Sequence, residues 1–319
     1  MQKTRVRTSP LGGTSMEISR VGFRAWAIGG GGWEFGWGPQ QDDESIAAIH
    51  WALDLDVNWI DTAAAYGFGR SEQIVGRALA GLPERPYLFT KCSLLDDGGR
   101  RVRHVLKRDS ILREAHASLQ RLGVDAIDLY QIHWPVPDED IEEGWAAMAE
   151  LKDLGPVRHI GVSNFSASQL RRIRSIAPVE TIQPPYSLID RAAEADILPA
   201  AERDRIGVIV YSPMGSGLLT GAITRERIAA MPDDDWRKSD PRFTEPQLSR
   251  HLTLATRLQA VADRHHTTPG AVAVAWTLRN PTVDAAIVGF RRPAQVDPIL
   301  AAAALELTDE DVTEIEAEN

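Results

Sequence analysis

At 319 residues, with 43% apolar and 25% charged side chains, the chain has ample material for one large α/β barrel or two smaller domains. Its formal charge of -10 argues against nucleic acid or an anionic membrane surface as the main partner. Cys92 is the only cysteine, so no internal disulfide and no cysteine-built metal site can form.

Met1 to Val6 lack the apolar core of a secretory signal. No apolar run approaches the roughly 20 residues of a membrane helix, which makes the cytoplasm the expected compartment. The N-terminal segment reads as a small hairpin, with Arg5 to Thr8 and Glu17 to Val21 flanking the turn residues Pro10 to Ser15. A rhythm of short strand and amphipathic helix follows. The expected strands are Val21–Ile28, Trp59–Asp61, Tyr87–Lys91, Ile127–His133, His159–Ser163, Thr181–Gln183, Gly207–Tyr211 and Ala285–Val288. The expected helices are Glu44–Leu55, Ser71–Leu79, Ser110–Leu122, Ile141–Leu154, Ser168–Ile176, Ala193–Arg203, Leu248–Arg264 and Pro293–Ala303.

Asp109 or Ser110 is suited to cap the third helix, and Ser166 or Ser168 the fifth. Leu112, Ala115, Leu119 and Leu122 give the third helix one apolar stripe. Two further helices read as additions. Thr268-Pro269 is an N-cap followed by proline in the first helical position, leading into Ala271 to Leu278. Thr308 with Asp309, Glu310 and Asp311 opens a C-terminal helix to about Ala317. The stretch Arg225 to Gln247, with three prolines and the run Asp233-Asp234-Asp235, reads as a long loop after strand seven, placed where barrels carry lids. Arg100-Arg101-Val102-Arg103-His104 reads as a solvated loop rim.

Short apolar strands alternating with helices suit a sheet buried on both faces. The predicted fold is α/β: a (β/α)8 TIM barrel with an N-terminal β-hairpin, extra helices and a long loop after strand 7, spanning residues 1–319 as one domain. A doubly wound sheet is the alternative. Gly29-Gly30-Gly31-Gly32 is glycine-rich, but no G-x-G-x-x-G dinucleotide fingerprint occurs, which counts against it.

Four chemically active side chains fall at or just past strand ends: Asp61, Lys91, His133 and, in the loop after Asp61, Tyr66. Parallel α/β barrels place their chemistry at that end. A phenol is a poor acid near neutrality unless an ammonium beside it favours the phenolate, and Lys91 offers one. Asp61 can hold that ammonium and offset its buried charge. His133 can orient a carbonyl toward Tyr66. Such a set would protonate an oxygen while another group attacks the carbonyl carbon. The bland readings are a buried ion pair, a core histidine and a loop aromatic.

The segments Asn58-Trp59-Ile60-Asp61-Thr62 to Ala65-Tyr66-Gly67, Thr90-Lys91-Cys92, Tyr130-Gln131-Ile132-His133-Trp134-Pro135, Gly161-Val162-Ser163-Asn164-Phe165-Ser166, Ile182-Gln183-Pro184-Pro185-Tyr186 and Tyr211 to Gly221 resemble the aldo-keto reductases. They occur in family order across nearly the whole chain, closest to the bacterial general-stress type of NADPH-dependent reductase. The resemblance implies an extended nicotinamide nucleotide, bound as NADPH/NADP+ with NADH possible, and hydride transfer to an aldehyde or ketone. It implies Tyr66 as proton donor, assisted by Lys91, Asp61 and His133. It also implies that Ser163, Asn164 and Gln183 bind the nicotinamide carboxamide and that the ring stacks on Tyr211. Ser212, Pro213, Gly215, Ser216 and Gly217 would approach the pyrophosphate, with Gly289, Arg291, Arg292 and Gln295 at the adenosine end. Arg291 and Arg292 would favour a 2′-phosphate.

Two positions depart from the pattern. Ile299 stands where many relatives carry an asparagine against the adenine, so adenine recognition differs here. Ala64 replaces a common proline and leaves Tyr66 in register. Trp33 and Trp134, with Trp26 and Trp37, can form an apolar mouth for a small carbonyl substrate, or can simply pack. The remaining histidines show no metal-ligand spacing, and no metal is expected. The alternatives in function are a nicotinamide-nucleotide-sensing regulatory subunit with slow turnover, a sugar or alcohol dehydrogenase using the same residues in the oxidative direction, and an isomerase or lyase on a phosphate-binding barrel.

Overall fold

The computed structural model describes residues 6–232 and 235–317. The chain begins with an antiparallel hairpin of β1 (Thr8–Pro10) and β2 (Glu17–Ser19), Thr8 opposite Ser19. β3 (Val21–Arg24), α1 (Asp42–Asp54), β4 (Trp59–Asp61), α2 (Arg70–Leu79) and β5 (Tyr87–Cys92) follow. A second hairpin, β6 (Leu94–Asp96) with β7 (Val102–His104), precedes α3 (Arg108–Leu122). Next come β8 (Ile127–Ile132), α4 (Ile141–Leu154), β9 (Val157–Ser163), α5 (Ala167–Ile173) and β10 (Thr181–Gln183). They are followed by α6 (Ile197–Asp204), β11 (Gly207–Tyr211), α7 (Arg225–Ala229), α8 (Gln247–Arg264) and α9 (Pro269–Leu278). β12 (Ala285–Gly289), α10 (Asp297–Leu300) and α11 (Asp309–Glu316) complete the described chain.

The strands β3, β4, β5, β8, β9, β10, β11 and β12 pair in parallel, in that order, and close into a barrel. This is the (β/α)8 architecture expected from the strand–helix rhythm. The helices bury their apolar faces against the outside of the sheet in one continuous core. A second cluster fills the barrel interior, where Trp59, Phe89, Leu129, Ile209 and Ile287 meet Leu11, Met16 and Ile18 of the N-terminal hairpin. The hairpin thus plugs the end at which the strands begin, and the chemistry falls to the other end. Among the described residues, no helix is long and apolar enough to cross a membrane.

Several expected elements change shape. The strand expected over Val21–Ile28 ends at Arg24 and gives way to a 3₁₀ turn at Ala27–Gly29, because the glycines beyond leave the main chain free to turn. The basic run is not a loop rim. Asp96 and Asp97 accept the backbone N–H groups of Gly98, Gly99, Arg100 and Arg101, which closes a turn and returns Val102–His104 as a strand. The helix expected over Pro293–Ala303 breaks into α10 and flanking 3₁₀ turns, since Pro298 lacks an N–H to donate. The helix expected over Ala193–Arg203 splits into a 3₁₀ turn and α6. Neither Asp109 nor Ser110 caps α3: the helix starts at Arg108, and Ser110 Oγ donates to Glu114. Ser166, Thr268 and Thr308 do cap their helices. Arg5, Asp233 and Asp234 lie outside the described residues.

Candidate functional site

Asp61 ends β4, Lys91 lies near the end of β5 and His133 follows β8, so parallel pairing brings them to one rim. Lys91 Nζ donates to Asp61 Oδ1 at 2.5 Å, to the Thr62 carbonyl at 3.0 Å and to the Tyr66 hydroxyl at 3.4 Å. Both side chains of the ion pair are fully buried. Asp61 Oδ2 accepts from Gln183 Nε2 at 2.9 Å and Gln131 Nε2 at 3.4 Å, so the carboxylate is held from both sides. The His133 ring stands edge-on to Tyr66 with centroids 5.6 Å apart. Burial, reinforced by Lys91, Arg24 and His104, holds the His133 imidazole well below the usual histidine range. The ring is therefore neutral, and its buried Nδ1 has no partner among the described residues.

Tyr66 owes its place to a close approach of two loops. A side chain on Gly67 (φ +65°) would lie 2.2 Å from the Gly29 carbonyl oxygen, so glycine lets the loops touch. Tyr66 packs beside Trp26, ring centroids 6.3 Å apart.

A hydrogen-bonded chain links this set to the next strand ends. Tyr211 OH donates to Asn164 Oδ1 at 2.7 Å, and Asn164 Nδ2 donates to Ser163 Oγ at 3.1 Å. Ser163 Oγ donates to the Gln183 carbonyl at 2.8 Å, and the Gln183 amide reaches Asp61. Burial pushes the Tyr211 phenol up to about 12, which keeps it a neutral flat ring. Beyond it, Ser212 (φ 57°), Gly215 (φ 56°), Ser216 (φ 57°) and Gly217 (φ 103°) adopt left-handed backbone. These residues coil the main chain tightly, with the Gly215 N–H donating to the Ser212 carbonyl at 2.9 Å and the Gly217 N–H to the Met214 carbonyl at 3.1 Å.

Two depressions meet at this rim. A groove of about 170 Å³ is lined by Ser212, Pro213, Ser216, Gly217, Gly289 and the guanidinium groups of Arg24, Arg227, Arg237 and Arg291. A cleft of about 650 Å³ is lined by Tyr66, His133, Asn164, Gln183, Tyr211, Trp33 and Trp134. Clustered cations and an adjoining flat aromatic ring fit a diphosphate-linked nucleotide with a planar head group. Arg291 is fixed by Gln40 Oε1 at 2.7 Å and by the Pro39 carbonyl. Arg292 is exposed and does not line the groove. Gln295 spends its carbonyl on the backbone N–H groups of Arg291 and Arg292 and so braces that turn.

The described residues of the loop, 225–232 and 235–247, pack at the rim, where Trp236, Asp240 and Arg242 line the cleft. Asp235 and Asp240 each cap a 3₁₀ turn and pair with the arginine two residues on, Arg237 and Arg242. Phe243, Met231 and Leu248 give the loop its own small core with Leu218 and Ile223. Trp236 stacks on Trp26 at 5.9 Å, and Arg237 lies 4.7 Å from the Trp37 ring. Sequence reading missed Arg24, Arg237, Trp236 and Gln131. For Arg24 the signal was blurred by extending its strand to Ile28. With the strand ended correctly, Arg24 falls level with Asp61 in the β3–β4 register. The aspartate–arginine spacing at residues 235–237 and 240–242 was the readable sign of an ordered loop.

Comparison with known proteins agrees with this geometry. Residues 27–319 match the profile of the Aldo/keto reductase family. Aldo-keto reductase YhdN of Bacillus subtilis (strain 168) is 41% identical over 95% of this chain and 90% of its own length. The NADH-specific methylglyoxal reductase of Escherichia coli (strain K12) is 37% identical over 95% of each chain. The structure of the glycerol dehydrogenase AKR11B4 from Gluconobacter oxydans superposes with a TM-score of 0.87 at 39% identity, covering 97% of this chain and 94% of that one. A closed parallel barrel whose rim carries this set of residues, matched along nearly its full length, places the chain in the aldo/keto reductase family, whose members carry out carbonyl oxidoreduction with nicotinamide cofactors.

Proposed function

We propose that the chain reduces small aldehydes and ketones with NADPH, accepting NADH less well, and that Tyr66 delivers the proton. The carrying observation is the contact of Lys91 Nζ with both Asp61 and the Tyr66 hydroxyl. When bound, the nicotinamide supplies the hydride. Neutral His133 holds the carbonyl oxygen in the cleft beside Tyr66. Lys91 stabilises negative charge on the phenol oxygen as its proton leaves for the substrate oxygen. Asp61 keeps the buried ammonium in place, and Gln131 and Gln183 keep Asp61 in place. Trp33 and Trp134 line the cleft and give it apolar walls.

NADPH is supported by Arg291, which reaches the groove without an ion-pair partner among the described residues. The NADH-specific name of one relative keeps NADH as the second choice. The same groups serve alcohol oxidation with the proton running from substrate to Tyr66, the direction named for the glycerol dehydrogenase relative.

Initial rates with NADPH and NADH on a panel that includes nitrobenzaldehyde and methylglyoxal test the proposal. Turnover with at least one carbonyl and a higher kcat/KM for NADPH is expected. Failure of the folded protein to bind either nucleotide contradicts it. Tight nucleotide binding with negligible turnover in both directions favours a nucleotide-sensing role instead.

A further inference from the structure

A guanidinium that leaves bulk water is ordinarily met by a carboxylate or by several oxygen acceptors. Arg24 is half-buried, with its Nε buried, and its guanidinium is met by neither. Among the described residues, its one hydrogen bond runs from Nη1 to Ser212 Oγ at 3.5 Å, no carboxylate pairs with it, and its buried Nε has no partner. It lies between two rings instead, 4.6 Å from the Trp26 centroid and 5.0 Å from the Tyr211 centroid. Cation–π contact compensates only part of what a paired oxyanion would give.

Arg24 lines both the groove and the cleft, and the charges on the two sides differ. The cleft carries the carboxylates of Glu34, Asp190 and Asp240 against one further cation, Arg242, which pairs with Asp240 at 2.6 Å, so Arg24 faces a lining with no free cation beside it. The groove carries Arg227, Arg291 and Arg237, the last paired with Asp235, and among the described residues no carboxylate lines it, which suits an anion. The oxyanion that answers Arg24 therefore belongs to the groove.

We propose that Arg24 is a latch on the nucleotide groove. Its guanidinium covers the face of Tyr211, has to turn off that ring for a nicotinamide to stack there, and closes on the diphosphate as it turns. The inference rests on the dinucleotide reading above and adds to it a positioning residue. Ser212, already in contact, marks the direction of the turn. Arg24 contributes its cation from β3, a strand separated in the barrel by β12 from β11, which leads into residues 212–217.

The test is calorimetric titration of the full chain with NADPH, NADH and ADP-ribose at low and moderate salt, for the parent protein, Arg24→Met and Arg24→Lys. Circular dichroism establishes that each variant is folded. ADP-ribose carries the diphosphate but no nicotinamide. The Arg24→Met change is expected to weaken all three ligands about tenfold or more, as loss of a charge-assisted pair does, and to flatten the salt dependence of Kd. The Arg24→Lys change keeps the salt dependence and recovers part of the affinity. Unchanged or tighter binding by Arg24→Met overturns the latch, and so does an effect confined to the KM of the carbonyl. A parent protein that binds none of the three ligands overturns the dinucleotide reading itself, a result distinct from either.

Discussion

Asp61 and Lys91 form a fully buried ion pair, and the two sides of that pair are not equally replaceable. Removing the negative partner leaves an ammonium in a dry site with only the Thr62 carbonyl and the Tyr66 hydroxyl to meet it. The Asp61→Asn change is therefore expected to cost about 3 kcal/mol of stability by urea unfolding, and to lower kcat as Lys91 loses its anchor. A loss under about 1 kcal/mol would mean that the pair contributes little to holding the rim. Asp61, Lys91 and His133 were legible in the sequence because each sits at or just past the end of an apolar strand, and Tyr66 because it falls in the short loop that follows Asp61. Arg24 was not legible, because periodicity alone does not say where a short strand stops when the residues beyond it are also apolar.

At the scale of elements, β5 carries Lys91 and ends against α3. Glu114 on α3 accepts the Ser93 backbone N–H at 3.0 Å and the Ser110 hydroxyl at 3.0 Å. Burial outweighs these bonds and pushes the Glu114 carboxyl up to about 7. Its folded value lies above the ordinary 4.5, so the folded protein binds the extra proton between those pH values. The stability this contributes is full below pH 4.5 and is lost as pH rises through about 7. Between pH 5 and 8 the parent protein is expected to lose up to about 3 kcal/mol relative to Glu114→Gln, whose amide stays neutral. Parallel stability profiles for the two proteins would show that Glu114 is already ionised at pH 5. The sequence placed α3 and its apolar stripe but not the polar part of its inner face. Of the stripe read through Leu112, Ala115, Leu119 and Leu122, Ala115 and Leu122 are buried and Leu112 and Leu119 pack partly buried against the core, while the buried face also includes Ser110, Ile111, Glu114 and Ser118. A polar inner face satisfied by strand-end backbone has no hydrophobic period to announce it.

Over the whole molecule, the hairpin at one end of the barrel and the ordered loop at the other divide the work. The hairpin closes the interior, and the loop sets Trp236 on Trp26 where groove and cleft meet. The barrel was legible because the strand–helix alternation is long-range and repetitive. The second hairpin, the broken helix around Pro298 and the loop's small core depend on turn geometry and on contacts between distant segments, which local pattern does not carry. Tyr66 lines the cleft and not the cationic groove, so on the proposed reading its hydroxyl contributes to proton delivery and not to holding the nucleotide's diphosphate. The most direct measurement is therefore Tyr66→Phe, assayed for nucleotide affinity and for turnover of the best carbonyl side by side. The account predicts a Kd within a few-fold of the parent value and a kcat lowered on the order of 10²–10⁴-fold, the usual contribution of a positioned general acid. A variant that keeps most of its turnover would contradict the assignment of Tyr66 as proton donor.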